Sequence, residues 1–225
     1  MGFIQSIYVA FAEGGIWMWS IVIVHIVSIA IMAERFFQLY ILRTIGQGQM
    51  VKQFENDIKK GELERVLNKA KGLSLRNPIA TVVQAGTQAA IDMGGREEIQ
   101  SRMDEILLAE NSRLEQRTGL LAMLGNAGTL LGLLGTIVGL IQSFSSVANV
   151  NPLEKATLLT QGIALAMNTT AYGLIMAIPA LIMYGVLQNR ANQLSDDLNQ
   201  GALRVFNWLS FTYDVMPNRT RRVKN

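Results

Sequence analysis

Cysteine is absent from the 225 residues, which excludes disulfides, thiolate catalysis and cysteine-based metal sites. Histidine occurs once, at His25, so no multi-histidine metal site can form within one chain. Charge is scarce: Asp, Glu, Lys and Arg make up 16% of the residues against 50% hydrophobic ones, and the net charge is +3. The apolar residues are concentrated in three runs, which separates this chain from a soluble one of similar composition. No basic residue precedes Arg35, so the start lacks the positive region of a cleavable signal peptide, and the first apolar run is expected to be retained. No phosphate-cradling glycine loop, paired catalytic carboxylates or nucleophile constellation is present. The expectation is therefore no enzyme activity, no cofactor, no metal and no nucleic-acid partner.

What is present centres on residues 120–147, LLAMLGNAGTLLGLLGTIVGLIQSFSSV, without one charged side chain. About 20 apolar residues suffice for a helix to cross a bilayer. Gly125, Gly128, Gly132, Gly135 and Gly139 alternate three and four apart and so share one helix face. Two GxxxG steps lie in this stripe, and small residues let another backbone approach closely in a membrane. Beside it, Asn126, Thr129, Thr136 and Ser143 form a polar stripe that would go unsatisfied against lipid tails, and so should face protein or water. The pattern predicts a helix lining a central pathway between subunits. The plainer alternative is a helix hairpin within one subunit, its hydroxyls bonded back to their own backbone.

The expected architecture is an all-α membrane protein of three transmembrane helices with long helical cytoplasmic extensions. Residues 1–14 are apolar and aromatic but too short to span, and fit an interfacial helix. The first span covers 15–34, with Trp17 and Trp19 as interface anchors and the helix continuing beyond the membrane through Phe36 and Ile41. His25, in its middle, could relay protons; a neutral imidazole bonded to a neighbouring helix is the commoner use and the one expected here. Residues 35–118 form a cytoplasmic helical domain. In it, Gly61 and Gly72 break or end helices, Asn77-Pro78 starts one that Gly94-Gly95 can stop, and Arg96 starts a charged helix. With no glycine or proline before Gly119, that helix is expected to run into the second span, 119–147, as one rod of roughly 75 Å. Residues 148–161 are a polar periplasmic loop. The third span, 162–188, carries the polar group Asn168, Thr169 and Thr170, with Pro179 expected to kink it. Residues 189–225 are a cytoplasmic helix ending in a basic tail.

Orientation follows from the basic residues. With the large loop and the tail inside, 19 of the 20 Lys and Arg are cytoplasmic, and only Lys155 lies outside. The N-terminus is thus expected outside and the C-terminus in the cytoplasm. Proton movement through a membrane normally uses a titratable group at depth. Between Gly119 and Glu154, and between Gln161 and Gln188, there is no Asp, Glu, His, Lys or Arg. Threonine and asparagine hydrogen-bond but do not titrate near neutral pH. If protons pass here, another chain must supply the carboxylate.

The segments LLGLLGTIVGLIQSF and GIALAMNTTAYGLIMAIPALIMY, in this order across a short loop, resemble the MotA/TolQ/ExbB proton channel family. The three-span layout is closer to its ExbB/TolQ-like members than to MotA. The resemblance implies a homopentamer around single-span helices of an ExbD- or TolR-like partner, whose membrane Asp takes up and releases the proton. It further implies work passed to a periplasmic TonB- or TolA-like effector, in transport, envelope maintenance or motility. By motif, the pore threonines are Thr136 and Thr170. One departure is visible: where ExbB-like chains often have an acid shortly after GIA, this chain has Leu165. From the residues alone, a non-conducting membrane scaffold and an anchor for the cytoplasmic domain stand as alternatives, separable by partner-dependent proton conductance.

Overall fold

The computed structural model describes residues 15–42, 47–74, 77–92, 94–148 and 150–215, and these are helical with no strand among them. The expected interfacial helix at 1–14 and the basic tail lie outside the described residues. Among the described residues seven α-helices follow in order: α1 Gly15–Phe36, α2 Gln47–Lys59, α3 Leu63–Leu73, α4 Pro78–Ile91, α5 Arg96–Glu115, α6 Thr118–Ser146 and α7 Pro152–Val215. A π-helical stretch, Phe37–Leu42, extends α1. Three of the helices are long and apolar enough to cross a membrane. The chain divides into two units: α1 to Arg35 with Arg117–Leu187, and Phe36–Gln116 with the chain from Gln188 onward.

In the second unit, α2–α5 and the last part of α7 enclose one apolar core. Val51, Phe54 and Ile58 of α2 and Leu198, Ala202, Val205 and Leu209 of α7 recur at three- and four-residue intervals, so each helix turns one stripe inward. Gly201 of α7 lets Val51 and Ile79 come close, and Gly86 of α4 does the same for Met103 of α5 and Leu209 of α7. Gly61, at φ 77°, provides the left-handed turn between α2 and α3. Pro78 opens α4 at a position where its missing N–H costs nothing.

In the first unit, α6 and α7 pair antiparallel, and the glycine stripe is the contact. A Cβ built on Gly132 would lie 3.0 Å from the Thr169 carbonyl oxygen and 3.2 Å from the Cα atoms of Gly173 and Thr170. Gly135 abuts Thr169, Gly139 abuts Ala166, Gly128 abuts Met176 and Gly125 abuts Leu181. Gly173 returns the contact, with a built Cβ 2.7 Å from the Gly128 carbonyl oxygen. The stripe is therefore filled by this chain's own α7. That is the hairpin alternative, and the stripe by itself carries no information about subunit contacts.

Two expectations of local structure are corrected. The rod expected from Arg96 into the second span is broken: Gln116 leaves the helix at ψ 136°, and Arg117 adopts φ 62° before α6 begins. A left-handed non-glycine residue costs roughly 1–2 kcal/mol. Arg117 partly offsets this through Nη1, which donates to Glu34 Oε1 at 2.8 Å. The loop before the third span is shorter than expected, because α7 already starts at Pro152, with the Glu154 and Lys155 amides on the Asn151 carbonyl at 3.0 and 3.1 Å. The buried Nδ1 of His25 has no hydrogen-bond partner among the described residues. Pro179 sits within α7, which stays helical on both sides of it; membrane helices tolerate such a proline where neighbours re-satisfy the freed carbonyl.

Replacing Gly132 by Ala should force the α6 and α7 backbones apart and destabilise the unit by about 1–3 kcal/mol, as overpacking does. Gly185→Ala, where a Cβ meets nothing within 4 Å, should be neutral or stabilising by up to about 1 kcal/mol. Thermal unfolding of the two variants in detergent would check this. Equal midpoints would mean that the close approach at Gly132 is not what holds the pair.

Candidate functional site: the hydroxyl cluster between paired spans

Halfway along the α6–α7 contact, three threonines converge on one carbonyl. Helical geometry explains the convergence. Gly132 and Thr136 are one turn apart on α6, Thr169 and Thr170 are adjacent on α7, and the missing side chain at Gly132 brings α7 against its backbone. Thr136 Oγ1 donates toward the Gly132 oxygen at 3.1 Å, its own helix, and lies 3.2 Å from the Ala166 oxygen of α7. Thr170 Oγ1 reaches the same Gly132 oxygen across the helix pair at 3.0 Å. Thr169 Oγ1 donates to the Ala166 oxygen at 2.7 Å, with the Gly132 oxygen 3.2 Å away. Thr136 and Thr170 share a direct hydroxyl–hydroxyl contact.

Burial sorts the remaining polar residues. Thr169 and Ser143 are buried inside the helix contact, with Ser143 Oγ donating to the Gly139 oxygen at 2.7 Å and packed against Gly162. Asn126, Thr129 and Asn168 are exposed, Thr129 donating to its own Gly125 carbonyl at 3.2 Å. Thr136 and Thr170 lie between these extremes, half-buried. The polar stripe is thus split. Ser143 and Thr169 serve the pairing of the spans, while Asn126, Thr129 and Asn168 present open polar groups. The hub of the cluster, the Gly132 carbonyl, was missed from sequence because a backbone oxygen leaves no mark in residue types.

A hydroxyl both donates and accepts. Three hydroxyl protons share the Gly132 and Ala166 carbonyls, and the Thr136–Thr170 contact can be made with either as donor. The pair can therefore present a donor to an arriving carboxylate or an acceptor to a carboxylic acid by rotating about Cβ–O bonds alone. Among the described residues no cluster of His, Cys, Asp or Glu could hold a metal. Outside the spans, Arg65 and Arg102 hold their protons more tightly than usual, chiefly through hydrogen bonds to Glu62 and Glu98, with no change of charge at physiological pH.

Three apolar helices, two paired through glycine around an uncharged hydroxyl cluster, define a multi-pass helical membrane protein. Residues 74–200, more than half of the chain, match the family model described as the MotA/TolQ/ExbB proton channel family, and the chain belongs to that family. It is similar to biopolymer transport protein exbB1 of Vibrio cholerae, 27% identical over 171 residues that cover 74% of this chain and 72% of that protein. Biopolymer transport protein ExbB of Pseudomonas putida is 32% identical over 93 residues, 41% of this chain and only 28% of the relative. Tol-Pal system protein TolQ of Pseudomonas aeruginosa is 37% identical over 85 residues, 38% of this chain and 36% of that protein. The chain is an ExbB/TolQ-like multi-pass protein of the bacterial inner membrane, in a family of proton channels rather than enzymes, and its role is in energy transduction driven by the proton motive force.

Thr169→Val should lower stability by about 0.6–1.7 kcal/mol, the average and upper measured range for hydrogen bonds between membrane helices. Thr129→Val, which loses only an exposed bond within its own helix, should change it by less. Thermal midpoints of both variants in detergent decide the matter, and an unaffected Thr169→Val would place the cluster's cohesion elsewhere.

Proposed function

We propose that this chain is the channel-forming subunit of a proton-driven inner-membrane motor. The observation that carries the proposal is the Thr136–Thr170 hydroxyl pair in spans without any titratable group, inside a proton channel family. Five copies surround the paired single-span helices of an ExbD- or TolR-like partner, whose membrane Asp carries the proton. The first span lies outermost, against lipid, with the N-terminus outside and the C-terminus in the cytoplasm. Thr136 and Thr170 face the central pathway, flanked by the exposed Asn126, Thr129 and Asn168. The hydroxyl pair donates to the partner's carboxylate when ionised and accepts from it when protonated, so one site holds both states without carrying charge itself. The work passes to a TonB- or TolA-like effector that energises transport, envelope maintenance or motility; the names of the relatives support transport and the Tol–Pal system.

A scaffold reading has one specific observation in its favour: every hydroxyl of the cluster finds an acceptor within the chain. Valine replacement separates the two, since it keeps the shape of threonine and removes the hydroxyl. In liposomes holding this chain and its partner, Thr136→Val and Thr170→Val should still assemble while proton flux is lost. Wild-type flux from both assembled variants would leave the hydroxyls as a helix staple and support the scaffold.

A further inference from the structure

A second feature borders the hydroxyl cluster. Between α1, α6 and α7, all within the first unit, lies a groove of about 340 Å³ whose walls include Trp17, Gln142, Ser143, Ser146, Leu165 and Thr169. Ser146 is the last residue of α6, and Gly135, eleven residues earlier, also borders the groove, so it runs about 16 Å along the helix at 1.5 Å per residue. Of its lining residues, the buried Thr169 has its Oγ1 3.5 Å from Thr136 Oγ1. Trp17, in its wall, lies near the start of α1, where an indole suits a membrane–water boundary.

The lining decides what fills the groove. Ser143 donates its proton to Gly139 and Ser146 donates to the Ser143 carbonyl at 2.9 Å, so each hydroxyl keeps lone pairs for another donor. The Gln142 amide is exposed on the same helix. An acyl chain laid here would leave the Gln142 amide and the free lone pairs of the two serine oxygens without partners; the amide alone costs of the order of 1–3 kcal/mol. Water satisfies them, needing two to four polar partners and about 30 Å³ each, so on the order of ten molecules fit. We propose that this groove is a water-filled access path from the outer membrane surface to Thr169, and that it delivers the proton to the Thr136–Thr170 pair from behind the paired spans. The route rests on the proposed proton function, whereas the wetness of the groove does not.

The absence of cysteine makes the test direct, because any introduced thiol is the only one in this chain. Ser146→Cys, Leu165→Cys and Ile23→Cys are made in the full chain with its partner, in oriented membrane vesicles. Ile23, exposed on α1, reports the lipid-facing surface. The probe is a membrane-impermeant cationic methanethiosulfonate; the thiolate, a form that needs water, attacks its sulfenyl sulfur, giving the mixed disulfide and releasing methanesulfinate. The outer-side reaction at residues 146 and 165 should be about tenfold or more faster than at residue 23. Labelled Leu165→Cys should then lose proton flux, measured in liposomes. A rate at residue 165 no greater than at residue 23, reaction only from the cytoplasmic side, or full flux after complete labelling would each overturn the access path. Should Leu165→Cys fail to accumulate, Gln142→Cys carries the same expectations. Flux blocked by labelling at residue 165, but unchanged in Thr136→Val and Thr170→Val, would keep the access path and remove only the threonines from the mechanism.

Discussion

Everything in the membrane unit depends on two backbones touching where Gly132 of α6 meets Gly173 and Thr169 of α7. In a bilayer there is little hydrophobic gain in bringing helices together, since lipid tails are as apolar as leucine; close packing and hydrogen bonds must supply it. The glycines supply the packing. By removing side chains at the contact, they also place the Gly132 carbonyl within reach of hydroxyls on the other helix. Cohesion and the proposed chemistry thus share their atoms. Side chains added at the crossing would move the threonines of one span away from those of the other, so the hydroxyl pair cannot be tuned independently of the helix pairing.

The fold was largely legible in the residues. A three-and-four glycine spacing, charge-free runs of sufficient length and a basic bias identify spans by elementary physics. The partner of the stripe was not legible, because a small-residue face says that a backbone approaches, not whose. The same ambiguity governs the polar stripe: Ser143 and Thr129 look alike by period, yet one is packed against Gly162 and the other is exposed. That difference arises from where α7 crosses, a tertiary fact.

The two misplaced boundaries have different causes. Asn151-Pro152 repeats the Asn77-Pro78 start signal, so the beginning of α7 was present in the sequence and only masked by the polar residues around it. The break at Gln116 and Arg117 had no such signal, since both residues favour helix. It is marked by the left-handed Arg117, whose guanidinium is held by Glu34. Local propensity cannot reveal a turn that is stabilised across 83 residues of sequence.

The lack of charge in the paired spans has an electrical consequence. A transmembrane voltage does work only on charge that moves, about 2.3 kcal/mol per elementary charge per 100 mV. α6 and the membrane part of α7 hold no ionised side chain, and their opposed helix dipoles largely cancel. Sliding or tilting this pair is therefore electrically silent. A transmembrane voltage can do work on this helix pair only through a charge that moves beside it.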